Sequence, residues 1–308
     1  MASQEQNGEI RPRDPVERAV RVAIASALDR FHDNEAAARH GTVEGIHRLR
    51  TATRRLRSEL RAFRELVEAE WMGPIESELR WLAGRLGAVR DLDVLTARFR
   101  AAAGPEDGPL AADLGPLFAE MARRHDHASE ELREALRSDR YQALVDALGR
   151  ALDVPPSGNE ARVSCREAMP PLAASAWRRL KKAARTLRPD DPDEAFHEVR
   201  KRAKRARYTA EMVAPVLSGS SARGGQRFIQ GATRVQDVLG EHQDAIVAGQ
   251  ELRKLLERHD SGPAFDHAAR VLLDDQARAA EQARDRFFDV WERLDRKKSR
   301  RWMKAVAR

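Results

Sequence analysis

An all-α fold is predicted by three observations. The 308 residues are rich in alanine, leucine, arginine and glutamate, all strong helix formers, and only 5% are aromatic. No β-branched runs bounded by turn residues occur. Glycine and proline instead cut the chain into long segments whose apolar residues recur at helical spacing. The breakers are Gly41, the Gly73-Pro74 pair, Gly104-Pro105, Pro155-Pro156 with Gly158, Pro189 to Pro192, the cluster Ser218 to Gly225, and Gly262-Pro263. Between them helices are predicted near 15–39, 43–71, 75–102, 109–136 and 138–152, then near 162–187, 193–216, 224–258, 264–295 and 297–307. Residues 1–13 are expected to be a disordered N-terminus. The stretch Asp153 to Arg162 is the densest in breakers near mid-chain, so it reads as a linker between halves 14–152 and 163–308.

Charge and cysteine content narrow the function class. Lys+Arg 56 against Asp+Glu 49 gives a net charge of +7, which favours a polyanionic partner, although a third of the residues are charged and most of those serve solvated helix faces. A single cysteine, Cys165, excludes an intrachain disulfide and a cysteine-based zinc site; it reads as an inert thiol in a reducing compartment. No apolar run reaches about 18 residues and the N-terminus has no apolar signal core, so a soluble, cytoplasmic protein without membrane contact is expected.

The two halves share a basic stretch. Ile46 to Phe63 reads IHRLRTATRRLRSELRAF and Phe196 to Val213 reads FHEVRKRAKRARYTAEMV. Moving 150 positions, the distance from His47 to His197, also carries Arg50 to Arg200, Arg54 to Lys204, Arg55 to Arg205 and Arg57 to Arg207. Further on, Leu86-Gly87 with Asp91 matches Leu239-Gly240 with Asp244. At the ends, Ser138, Arg140 and Tyr141 match Ser299, Arg301 and Trp302. Two pseudo-twofold-related helical bundles formed by an internal duplication are the economical reading, since the repeat is far too long for a solenoid.

On a helical wheel His47, Arg50, Arg54, Arg57 and Arg61 fall within a sector of roughly 80°. Leu49, Ala52, Leu56, Leu60 and Phe63 occupy the opposite, core-facing side. In the second copy Val199, Ala203, Ala206, Ala210 and Val213 form the core face. His197, Arg200, Lys204 and Arg207 form the stripe, widened on one flank by Lys201 and Arg205. Like charges at i,i+4 oppose helix formation, and no acid stands at i,i+4 to Arg50, Arg54, Arg57 or Arg61 within the segment. An external anion is therefore expected to neutralise the stripe. Successive stripe residues rise about 5 Å per turn, which suits an extended ligand with repeated negative groups, and guanidinium forks suit phosphate oxygens. Asp91 and Asp244, next to Arg90 and Gln243, either lock individual arginines or serve capping and core roles. His47 and His197 are either structural hydrogen-bonding residues or ligand contacts; in the second case binding should tighten below about pH 6.5.

Several chemistries find no support in the residues. No GxxxxGK[ST] loop is present. His125 and His127 are two apart and point to opposite sides of a helix, so no metal is expected there. No nucleophile–base set or carboxylate pair can be assembled, and neither catalysis nor a cofactor is expected.

The HxxRxxxRRLR pattern from His47 to Arg57, LGxxRDLDV from Leu86 to Val94, and their second copies, including VQDVLGEHQDAIVA, resemble the CHAD family (conserved histidine α-helical domain). The resemblance runs from about Pro15 to Arg308 and implies two helical bundles with a basic surface that binds inorganic polyphosphate. Family members are often fused to a CYTH triphosphatase domain, whose ExExK signature is missing here, so a stand-alone domain is expected. Gln243 in place of an arginine, and Lys204 where the first copy has Arg54, depart from the first copy's pattern. The expected ligand is thus inorganic polyphosphate, held in one groove by His47, Arg50, Arg54, Arg55, Arg57, Arg61, His197, Arg200, Lys201, Lys204, Arg205 and Arg207, supported by Arg90, Asp91 and Asp244. The alternatives are a nucleic-acid backbone binder and an enzyme of phosphate metabolism. Association with polyphosphate granules, protein partners and oligomeric state stay open.

Overall fold

The computed structural model describes residues 10–64, 68–153, 162–258 and 262–305. These form eleven α-helices: α1 (Val16–Arg39), α2 (Val43–Ala62), α3 (Ala69–Ala103), α4 (Pro109–Asp113), α5 (Gly115–Arg137), α6 (Asp139–Asp153), α7 (Cys165–Thr186), α8 (Asp193–Val213), α9 (Gly219–Arg258), α10 (Pro263–Leu294) and α11 (Lys297–Ala305). No strand occurs among the described residues, so the all-α class holds. None of these helices is long and apolar enough to cross a membrane.

The helix starts and stops follow local chemistry. Gly41 takes the left-handed conformation (φ 76°) that lets the chain leave α1, and the Thr42 hydroxyl then caps α2 by accepting from the Gly45 N–H at 3.2 Å. Gly262, at φ 88°, turns the chain before Pro263 opens α10.

Three expected boundaries are corrected. Gly73-Pro74 does not break the chain: α3 begins at Ala69, and Pro74 forfeits a single helical bond near the start of a 35-residue helix. The Ser218 to Gly225 cluster likewise lies mostly inside α9: Gly219, at φ 53°, turns the chain at the helix start, and Gly224 and Gly225 serve close packing. A Cβ on Gly224 would stand 2.9 Å from Trp302 Cβ, and one on Gly225 2.8 Å from a Leu217 methyl. The segment expected as one helix over 109–136 is two, because buried Leu114 ends α4 and Pro116 sits in the first turn of α5.

Packing repeats in order. The first helix of each half lies on the second (α1 on α2, α7 on α8), the second on a long third (α2 on α3, α8 on α9), and the third on an antiparallel partner (α3 on α5, α9 on α10). Helices α2 and α8 meet each other across the middle. One contiguous apolar core runs through both halves. It takes in every residue expected on the core faces of α2 and α8: Leu49, Ala52, Leu56, Leu60 and Phe63, and Val199, Ala203, Ala206, Ala210 and Val213. Burying the apolar rows of both helices forces their opposite, cationic rows outward.

A backbone clasp also joins the halves. Val16 N–H donates to Val163 O at 3.0 Å, Cys165 N–H to Asp14 O at 2.8 Å and Arg166 N–H to Pro12 O at 2.9 Å. Residues 10–13 of the expected disordered segment, with Asp14, thus lie against the start of α7, while residues 1–9 and most of the expected linker (154–161) are outside the described residues. Cys165 is buried in the clasp, and burial together with nearby Asp14 pushes its thiol up to about 11, so it is held as an unreactive thiol.

Candidate functional site

The two cationic rows face one another. Arg54 of α2 lies among Arg50, Arg200 and Tyr208, and burial, with Arg50 and Arg200 adding to it, lowers its pKa below the ordinary arginine value. Arg57 shows the same direction: burial is the main cause, reinforced by Arg61, Arg80 and, from α8, Arg205. Cations of both copies therefore share one seam, where each disfavours its neighbours' charge. The Nε atoms of Arg50, Arg57 and Arg207 are enclosed and have no hydrogen-bond partner.

The structure places each expected residue as follows. In α2, His47 is exposed and Arg50 pairs with Asp91 at 2.9 Å. Arg55 turns to Glu59 at 2.9 Å, with Glu211 of α8 at 3.9 Å. Arg61 is taken by buried Glu76 of α3, which also holds Arg64 at 2.8 Å. Burial disfavours charge on Glu76, yet the hydrogen bonds from Arg61 and Arg64 outweigh it and leave its pKa below the ordinary value. The expectation of an uncompensated first stripe is thus corrected in part: acids from α3 reach Arg50 and Arg61, whereas Arg54 and Arg57 have no ion pair among the described residues.

In α8, His197 is half-buried and its Nδ1 is hydrogen-bonded to Gln243 Oε1 at 2.5 Å. Arg200 lies over Gly240, its guanidinium 3.8 Å from where a Cβ would be, just as Arg50 lies over Gly87 at 3.8 Å. Lys201 pairs with Glu198 beside it and is exposed, as is Arg205. Lys204 and Arg207 lie over the Tyr208 ring at 5.9 and 4.6 Å, and Arg207 has Glu211 at 3.7 Å. Among the supporting residues, Arg90 pairs with Asp93 at 3.6 Å and so does not join the stripe by an ion pair. Asp244 makes no ion pair with Arg200 within 4 Å among the described residues. Burial raises its pKa, opposed by Arg200 and Arg98 and aided by Glu241 and Asp91. Thus Asp91 takes the arginine-locking role and Asp244 sits deeper.

Four participants went unread in the sequence. Glu76 and Glu211 come from outside the first stripe. Arg98 of α3 reaches across the halves to Glu241 at 2.9 Å and to Gln276. Beneath α8, His242 is buried, with its Nε2 3.1 Å from both Arg284 Nε and Asp193 Oδ1. One nitrogen cannot accept from Arg284 and donate to Asp193 at once. Burial lowers the His242 pKa, with Asp193 opposing and Arg284 adding, so the neutral ring accepts from Arg284, which also grips Asp193 and donates to Pro189 O at 3.1 Å. This buried knot fixes the N-terminus of α8, where His197 stands. Its sequence signal was the spacing of His242 three residues from both Leu239 and Ala245, on the apolar side of α9.

The ensemble can hold an extended anion by charge and guanidinium hydrogen bonds. Comparison with known proteins agrees with the architecture. The structure resembles that of PptA from Streptomyces chartreusis, with a TM-score of 0.75, 22% identity, and coverage of 90% of this chain and 99% of that one. It also resembles the CHAD domain from the plant Ricinus communis, with a TM-score of 0.76, 25% identity, and coverage of 92% and 94%. Two uncharacterized proteins of Mycobacterium tuberculosis, from strains CDC 1551 and H37Rv, are each 32% identical over 94% of this chain, which spans 55% of their length. The CHAD domain family model matches residues 22–253, and the chain therefore belongs to the CHAD family.

Proposed function

We propose that this chain binds inorganic polyphosphate, without turning it over, along the seam where α2 and α8 meet. The carrying observation is the convergence of cations from both helices: Arg54 with Arg50 and Arg200, and Arg57 with Arg205. A linear ligand with one charge per phosphate spans such a row better than a compact one, and the CHAD resemblance implies that same polymer. Cations that disfavour one another in the free protein gain most when a polyanion arrives, and counterion release adds a salt-dependent term. The geometry speaks against stacking on a tyrosine, since Tyr208 is buried beneath Lys204 and Arg207. The reading keeps the protein cytoplasmic, where such a polymer would be met.

The test is titration calorimetry with long-chain polyphosphate at two salt concentrations, with duplex DNA at equal charge as competitor. The expected result is binding that weakens with salt and survives the DNA. Equal displacement by DNA would reduce the seam to a general basic surface, absence of binding would remove the assignment, and magnesium-dependent phosphate release would overturn the non-catalytic part.

A further inference from the structure

A second basic site lies away from the seam. Helices α9, α10 and the start of α11 enclose a cavity of about 260 Å³ lined by Arg227, Gln230, Arg234, Arg293 and Ser299, with Gly231, Val290 and Leu294 as its apolar part. All three arginines are exposed, and none of their guanidinium groups makes an ion pair or hydrogen bond among the described residues; the Arg293 carbonyl accepts from the Ser299 hydroxyl at 3.5 Å. Asp237 and Asp289 stand at helical spacing from Arg234 and Arg293 yet pair with neither. Gly231 lets α9 approach α10 here: a Cβ on it would stand 2.9 Å from a Leu294 methyl.

The first half supplies an internal control. A cavity of about 260 Å³ occupies the matching place between α3, α5 and the start of α6, lined by Trp81, Arg85, Glu131, Glu134, Ala135, Ser138 and Arg140. The shift that carries Leu86 to Leu239 carries Trp81 to Arg234, and Ser138 matches Ser299. There the cations are already satisfied: Arg85 pairs with Glu131 at 2.9 Å, and Arg140 pairs with Glu78 at 2.6 Å while lying 4.3 Å from the Trp81 ring centroid. The same fold position is self-neutralised in one half and holds three unpaired guanidiniums in the other.

We infer that the α9–α10–α11 cavity binds a compact diphosphate group, independently of the seam. One carboxylate or monophosphate would leave part of this charge unmet, whereas a diphosphate offers each guanidinium a pair of oxygens. The Gln230 amide can serve the one bridging oxygen, the Ser299 hydroxyl, 3.5 Å from Arg293 O, can turn to a terminal one, and Val290 beside the Leu294 methyl offers a surface for whatever bears the group. The diphosphate is either free or the end of a nucleotide.

The experiment titrates inorganic diphosphate and, separately, ADP into the full chain, without divalent metal. It uses the wild type, Arg227→Ala, Arg227→Ala with Arg293→Ala, and the seam variant Arg54→Glu with Arg200→Glu. One-site binding is expected in the wild type and retained in the seam variant, and weakened about tenfold by each cavity arginine removed. Circular dichroism checks that helicity is unchanged, and Arg234→Lys should keep more affinity than Arg234→Ala. Tighter binding of ADP assigns the apolar surface to a nucleoside, and equal binding assigns the diphosphate alone; both support the site. No binding in the wild type, or binding lost in the seam variant and untouched by the cavity variants, overturns it.

Discussion

Helices α2 and α8 carry the same ladder of cations but hold it by different means. In α2 the fixed arginines are fixed by acids: Arg50 by Asp91, Arg55 by Glu59, and Arg61 by Glu76. In α8 acids take Lys201 (Glu198) and, at 3.7 Å, Arg207 (Glu211), while Arg200, Lys204 and Arg205 have no ion pair among the described residues; uncharged groups do more of the positioning, the Tyr208 ring under Lys204 and Arg207 and Gln243 on His197. An acid positions a cation and cancels it; an amide or a ring positions it and leaves the charge available. The second copy therefore offers more of its formal charge to a ligand, although Lys204 replaces an arginine there.

That contrast can be broken or sharpened by experiment. The largest effect should come from reversing one cation of each copy where they meet. Arg54→Glu with Arg200→Glu should weaken polyphosphate binding on the order of a hundredfold, two charge-assisted contacts being lost. Calorimetry measures it, with circular dichroism as the folding control, and unchanged affinity would remove the seam as the site.

Next comes a difference in packing. A Cβ on Gly45 would stand 2.6 Å from the α1 backbone at Ala37, whereas the second half carries Ala195 at the matching position. Gly45→Ala should cost about 2 kcal/mol of stability, while Ala195→Gly costs about 1 kcal/mol at most. Urea melts would show it; equal costs would mean that the two helix pairs are equally close.

A smaller, pH-dependent difference is expected from His242, whose place in the first half is taken by Val89. Burial depresses its pKa in the folded chain, so below about pH 6.5 the unfolded chain binds the extra proton first. Stability present above that pH should decline as pH falls through the folded value and then level off. His242→Gln should flatten that part of the profile, and an unaltered profile would show that the ring does not titrate there.

The smallest effect tests neutralisation directly. Asp91→Asn should tighten polyphosphate binding by about threefold, by releasing Arg50 from its acid. Asp244→Asn should change it less, because Asp244 holds no arginine. The reverse order would mean that Asp91 positions Arg50 more than it cancels it.

Most of the fold could be read from breakers and period. Two of the three boundary failures share one cause: glycine and proline were taken as chain-turning, whereas Gly224 and Gly225 permit close contact with Trp302 and Leu217, and Pro74 is absorbed near a helix start; the third is the reverse, an unread break at Leu114 and Pro116. The stripes were legible because helical spacing puts their members on one face by local geometry alone. Their partners were not, since Glu76 reaches Arg61 and Glu211 reaches Arg55 only after helices pack. Gln243 was legible as a departure from the first copy; that it holds His197 required coordinates.

The clasp between the start of the chain and the start of α7 has a bearing on how far the halves can drift apart in sequence. Its bonds run from the amides of Val16, Cys165 and Arg166 to the carbonyls of Val163, Asp14 and Pro12. Such a join is almost blind to side-chain identity, provided no proline enters at a donor. Differences such as Gln243 where the first half has Arg90, or a self-neutralised cavity in one half and a cationic one in the other, leave it untouched. The halves are thus free to specialise while their alignment stays under the control of the main chain.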